Sequence, residues 1–168
     1  MKKYIGIDWG GTICKETHLK LSEDPFYLTR PALDGAIEAI RVLHDSFGDN
    51  MMIISKVTVR SEPKILEWLD TCDFWERTRM PKGNIRFCRE RHEKAPICDE
   101  LGVTHFIDNR IEVLYHLGPR VEKFALCPKD EDLERYKDFL LQVHIHQSWN
   151  EVMNAVRSSL MHPKMLAG

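Results

Sequence analysis

The chain has 168 residues, 43% of them hydrophobic and 30% charged, with a formal net charge of -2. That length suits one domain with a substantial core. The near-neutral balance argues against a general nucleic-acid or membrane-surface binder and leaves room only for a local basic patch.

In chain order, the first element is a short apolar strand at 3–7, delivered to Asp8 and a glycine turn, Trp9-Gly10-Gly11-Thr12. Residues 13–31 follow, too long for a simple strand-to-helix turn and expected to form a small flap. A helix is predicted at 34–47, where Ile37, Ile40, Val42 and Leu43 recur at helical spacing and Gly48 stops the run. A strand at 51–55 ends in Ser55. The next helix, 61–73, opens Ser-Glu-Pro and buries Ile65, Leu66, Trp68 and Leu69.

Residues 74–94 hold a strand at 85–89 and an excess of base: Arg77, Arg79, Lys82, Arg86, Arg89, Arg91 and Lys94. That stretch reads as a solvated surface or as a docking face for an anionic substrate. Lys94 starts a helix that ends at Gly102. A strand at 104–107 leads into Asp108-Asn109 and a helix at 111–117, for which Asn109 is the expected cap. Strands at 121–127 and near 142–146 complete the sheet, and Ser148-Trp149-Asn150-Glu151 reads as a capping box opening a last helix. The domain is placed at 1–160, with 161–168 as a frayed tail. This alternation predicts a single α/β domain, a parallel sheet with helices on both faces.

The N-terminus carries no secretory signal, and no apolar run approaches the roughly 20 residues of a membrane span. The five cysteines (Cys14, Cys72, Cys88, Cys98, Cys127) are scattered without a Cys-x-x-Cys pair. The expectation is a cytoplasmic protein with reduced thiols.

Ligands of open parallel sheets sit beyond the carboxyl ends of the strands. Here those ends carry Asp8, Ser55 and Asp108-Asn109, with Lys94 at the start of the helix before the fourth strand. If they converge, they supply a carboxylate nucleophile, a hydroxyl donor, a cation and a second acidic group for a metal. These motifs resemble those of the haloacid dehalogenase superfamily, whose first strand ends in Asp-x-Asp-x-Thr; here it reads Asp8-Trp9-Gly10-Gly11-Thr12. The similarity spans Ile5 to Cys127 and implies a Rossmann-like fold with a small flap and no large cap. It further implies a magnesium-dependent phosphohydrolase acting through an aspartyl-phosphate on Asp8. In that scheme Asp8, Gly10, Asp108 and Asn109 hold the metal. Trp9, Gly10, Gly11, Thr12, Ser55 and Lys94 bind the phosphate. The implied partner is a phosphorylated substrate, bulky ones included because no cap closes the crevice.

The pattern departs from the phosphatase branch at Gly10, where an aspartate serves as general acid and base, a role worth about 10²–10⁴-fold. A small residue beside Trp9 resembles the Asp-Trp-Ala-Gly-Thr of phosphonoacetaldehyde hydrolases, but 13–31 is too short for their cap. His18 is one conceivable substitute acid, and Glu112 could offset the charge missing at Asn109. His144 and His146 could share a metal, though no third ligand is evident.

Two other readings stay open. Gly6-Ile7-Asp8-Trp9-Gly10-Gly11-Thr12 also resembles the first phosphate motif of sugar kinases, which need a second domain and a second nucleotide motif. The missing acid could equally leave a binding or regulatory domain on a phosphatase scaffold.

Overall fold

Apolar residues on both faces of the central strands require cover from both sides, and the sheet they build receives it. In the computed structural model, which describes residues 2–161, six parallel strands lie in the order β3-β2-β1-β4-β5-β6. They are β1 (Ile5–Ile7), β2 (Met51–Lys56), β3 (Ile85–Cys88), β4 (His105–Asp108), β5 (Glu122–Leu126) and β6 (Val143–His146). The tail expected from 161 onward falls, at 162–168, outside the described residues; Met161 itself ends the last helix.

The period of two along each strand splits the core into two layers. Ile5, Ile7, Met51, Ile53, Ile107, Phe124 and Leu126 meet α1 (Ala36–Phe47), α2 (Glu62–Thr71), α3 (Phe74–Thr78) and α7 (Trp149–Met161). Met52, Ile54, Phe106 and Ala125 meet α4 (Lys94–Leu101), α5 (Ile111–His116) and Phe139 of the 3-10 turn Lys137–Gln142. α6 (Asp130–Arg135) buries none of its residues. Gly6 sets the spacing at the centre: a Cβ there would lie 2.5 Å from the Phe106 ring. Only glycine lets β4 pack this closely beside β1.

The structure adds elements that the sequence pattern does not announce. α3 sits inside the basic stretch, and its flanking residues Asp73 (φ 51°) and Arg79 (φ 64°) take left-handed conformations without a glycine to mark them. The basic stretch is largely paired within the chain: Arg77 with Glu38, Lys82 with Asp70, Arg89 with Glu62, and Arg91 with Glu112. Glu112 is therefore engaged by Arg91 at 2.8 Å, and it does not supplement Asn109. The start of α7 is capped by half of the expected box. Glu151 N donates to Ser148 Oγ at 3.3 Å, while the Glu151 carboxylate accepts from Gln147 N instead.

His144 stacks on Phe124 near Glu122, and His146 stands 3.9 Å from Glu151. Among the described residues no cluster of three or more His, Cys, Asp or Glu side chains is placed to hold a metal. No helix among them is long and apolar enough to cross a membrane.

Candidate active site

β1 lies between β2 and β4, where the order of the strands reverses, so a crevice opens beyond its carboxyl end. Asp8 occupies that end, its amide donating to Ile107 O at 2.9 Å and so extending the ladder to β4. Lys94, on the first turn of α4, reaches across from the second layer. Its Nζ donates to Asp8 Oδ1 at 2.6 Å and to Asp108 Oδ2 at 2.8 Å. One ammonium thus bridges the two acids, and their oxygens lie no further apart than the sum of those bonds. All three side chains are buried: Asp8 is 6%, Lys94 2% and Asp108 1% exposed.

Burying three charges is unfavourable unless each is matched. Burial alone would lower the pKa of Lys94, yet the charges of Asp108 and Asp8 outweigh it and hold the ammonium above its ordinary value. Burial pushes the Asp108 carboxyl up to about 6, against the pull of Lys94 and with the charge of Asp8 adding. Asp108 Oδ1 also accepts from Arg110 N at 2.9 Å, which fixes the carboxylate at the start of α5. Asp108 does the work expected of Asn109 there, since α5 carries no side-chain cap from Asn109. The Asn109 amide nitrogen instead donates to Asp108 Oδ1 and to Gly10 O, 3.3 Å from each.

The glycine turn is closed on itself. Ile13 N and Cys14 N both donate to Trp9 O at 2.9 Å, and Gly11 N donates to Cys14 O at 2.8 Å. Gly11 takes φ +77°, and a Cβ there would fall 2.2 Å from the side-chain amide of Asn109. Both facts demand glycine. Thr12 is fully buried; its hydroxyl points at Asp8 Oδ2 at 3.4 Å, and its carbonyl accepts from Trp149 Nε1 at 2.7 Å. The Trp9 ring packs edge-on against Trp68 in the core.

A cleft of 360 Å³ opens over this floor, bordered by Asp8, Trp9, Gly10, Ser55, Lys94, Asp108 and Asn109. Of the residues expected around a phosphate, Gly11 and Thr12 do not line it. Gly11's amide serves the turn, and Thr12 lies beneath, where it steadies Asp8. The described residues build one sheet, and the Gly11 amide is engaged within the turn.

The flap supplies the far wall through residues 16–21 together with Arg30. It is clamped to α2. Lys64 Nζ donates to the carbonyls of Leu21 (3.0 Å), Ser22 (3.3 Å) and Asp24 (3.2 Å), and Trp68 Nε1 donates to Arg30 O at 2.9 Å. Arg30 in turn bonds Asp24 Oδ2 at 2.7 Å and Leu19 O at 2.8 Å, holding the Asp24 carboxyl below its usual range. Arg30, Lys56, Arg91, Arg110 and Glu16 border the cleft without any sequence signal beyond their charge. His18 borders it as well, exposed and with no hydrogen-bond or ion-pair partner among the described residues.

No family model and no curated protein sequence matches the chain. Fourteen chains of solved structures do. Among them is a protein of Burkholderia xenovorans LB400 described as a haloacid dehalogenase-like hydrolase, with a TM-score of 0.57 and 15% identity. The match covers 83% of this chain and 64% of that protein, so the chain spans just under two-thirds of its relative's length. The fold is therefore haloacid dehalogenase-like, an α/β Rossmann-like sheet.

Proposed function

We propose that the chain is a magnesium-dependent phosphohydrolase working through an aspartyl-phosphate on Asp8. The observation carrying this reading is the buried Asp8–Lys94–Asp108 bridge at the floor of an open cleft. A hydrophobic trio of similar volume would serve stability as well or better, so the cluster argues for chemistry. Asp8 is the nucleophile: its carboxylate attacks phosphorus in line, dividing one hard displacement into two easier ones. Lys94 Nζ, the Ser55 hydroxyl and the backbone at Trp9 and Gly10, all bordering the cleft, would bind the equatorial oxygens. Donors fixed in advance are most effective there, because charge gathers on those oxygens in the transition state. Thr12 orients Asp8, and Arg110 N orients Asp108.

Magnesium suits this donor set in chemistry and in charge. Asp8, Asp108 and the Gly10 carbonyl offer hard oxygens. The two carboxylates outnumber the single buried ammonium, so a phosphate dianion needs a further cation to approach. Held by Asp8, Gly10 and Asp108, the ion would offset the repulsion between nucleophile and phosphate. Asn109, as a hydrogen-bond donor to Asp108 and Gly10, orients two of those ligands. With no cap over the cleft among the described residues, phosphorylated substrates of considerable bulk can present a phosphate to Asp8.

The test is turnover of a panel of phosphate monoesters in magnesium, with Asp8→Asn alongside. The expected outcome is activity in the parent and a loss of about 10⁴-fold or more in the variant. Magnesium binding without turnover of any substrate favours the second reading, a binding or regulatory domain. That reading is supported by the absence of any acid at Gly10.

A further inference from the structure

Resting on the phosphohydrolase reading, we propose that Glu16 is the general base of the second half-reaction. With Gly10 donating no proton, the first half then runs only on phosphates whose leaving group departs as a stable anion. Such substrates are acyl phosphates, phosphoanhydrides and aryl phosphates, which release a carboxylate, a phosphate and an aryloxide.

Two observations meet at the glycine turn. A Cβ built on Gly10 meets nothing within 4 Å, so there is room for an acid that the chain does not supply. One residue on, a Cβ built on Gly11 would lie 3.1 Å from Glu16 Cδ. The Glu16 carboxyl therefore rests against the same turn, brought there by the flap and admitted by the glycine. Arg110 stands 3.7 Å from it at the wall of the cleft.

Depth decides the role. Asp8 lies at the floor, with its side chain 9% exposed, whereas the Glu16 side chain is 46% exposed at the rim. In-line attack from Asp8 sends the leaving group toward the rim, and the hydrolytic water must approach phosphorus from that same side. The other carboxylates of the cleft, Asp8 and Asp108, are both bonded to Lys94. His18 has nothing to hold it in place. Glu16 is the one carboxylate at the rim among the residues lining the cleft.

In the first half the Asp8 carboxylate oxygen bonds to phosphorus. The bond from phosphorus to the leaving oxygen breaks, and its electron pair departs with that oxygen. In the second half Glu16 takes a proton from water, and the water oxygen bonds to phosphorus. The Asp8–phosphorus bond breaks with its electron pair returning to the carboxylate. Glu16 then releases its proton to solvent, where it balances the anion freed in the first half.

The experiment follows acid-quenched phosphoenzyme and steady-state turnover in magnesium with acetyl phosphate, 4-nitrophenyl phosphate and glycerol phosphate. It compares the parent, Asp8→Asn, Glu16→Gln, Glu16→Asp and Gly10→Asp. The parent is expected to turn over the first two substrates and to leave glycerol phosphate nearly untouched. Glu16→Gln should keep the phosphoenzyme burst, accumulate the intermediate and lose about 10²–10⁴-fold in steady state, with partial recovery in Glu16→Asp. Gly10→Asp should narrow the gap between aryl and alkyl phosphates. Unchanged steady-state turnover in Glu16→Gln, or equal parental rates on all three substrates, overturns the inference and leaves the phosphohydrolase standing. Absence of any Asp8-dependent phosphoenzyme overturns both.

Discussion

A hollow lies at each end of the sheet, and the two differ in kind. The cleft beyond the carboxyl ends measures 360 Å³, while a cavity at the opposite end, beside Thr104, His105, Val121 and Lys123, measures 680 Å³. At the larger cavity the Lys123 and His105 side chains are closed on the protein itself. Lys123 Nζ donates to Gly118 O at 2.9 Å and Val121 O at 3.0 Å, and the His105 ring joins Thr104 Oγ1 at 2.8 Å and Ser159 Oγ at 3.1 Å. At the smaller cleft two buried carboxylates share one buried ammonium. Volume alone does not locate chemistry; buried charge that the fold leaves incompletely balanced does.

The sharpest way to break this contrast is Lys94→Met. It leaves Asp8 and Asp108 buried without a counter-charge, and urea unfolding is expected to show a loss of about 3–5 kcal/mol. A loss below about 1 kcal/mol would mean that the floor is not held by charge, and the contrast would collapse.

At the other end, burial pushes the His105 pKa down to about 4 from 6.5, with the nearby Lys3 and His144 adding to the effect. The unfolded chain therefore takes the proton first. The stability tied to neutral His105 is fully present above pH 6.5 and is lost as pH falls toward 4. The loss amounts to about 3 kcal/mol over the window. Asp108 runs the other way, since its raised pKa makes it favour the folded state as pH falls through about 6. The measurement is accordingly the difference between the parent and His105→Gln in urea unfolding from pH 7 to 4, and a flat difference refutes it.

Gly6→Ala tests how tightly the two ends are joined. Its methyl would press on Phe106, and a cost of about 1–3 kcal/mol is expected. Smallest of all, Gly10→Asp should change the unfolding free energy in urea by no more than about 0.5 kcal/mol, because the new side chain meets open space. A large destabilisation there would show that position 10 cannot hold the acid it lacks.

Much of this was readable residue by residue. The strands at β1, β2 and β4 announce themselves because each is an apolar run bounded by turn residues, and α4 ends visibly at Gly102, which is left-handed with φ +67°. α3 stays hidden because Asp73 and Arg79 adopt left-handed turns without glycine. Asp8, Lys94 and Asp108 could be gathered into one site by their places at strand and helix ends. The duties of Thr12 and Gly11 could not. Whether a hydroxyl meets a phosphate or steadies an aspartate depends on which side of the turn it faces.

By itself, the sequence determined the parallel α/β architecture and the identity of the polar groups at the strand ends. Hydrophobic period and helix-stop chemistry are local properties, and a parallel sheet brings its carboxyl ends together as a matter of course. Tertiary structure alone decided that one ammonium bridges Asp8 and Asp108, that Asn109 donates to Gly10 and Asp108, and that Glu16 comes to rest on the Gly10-Gly11 turn. Those are contacts across 86 residues between Lys94 and Asp8, or across a flap held down by Lys64 and Trp68. Their geometry is fixed by packing between distant segments, which no local pattern encodes.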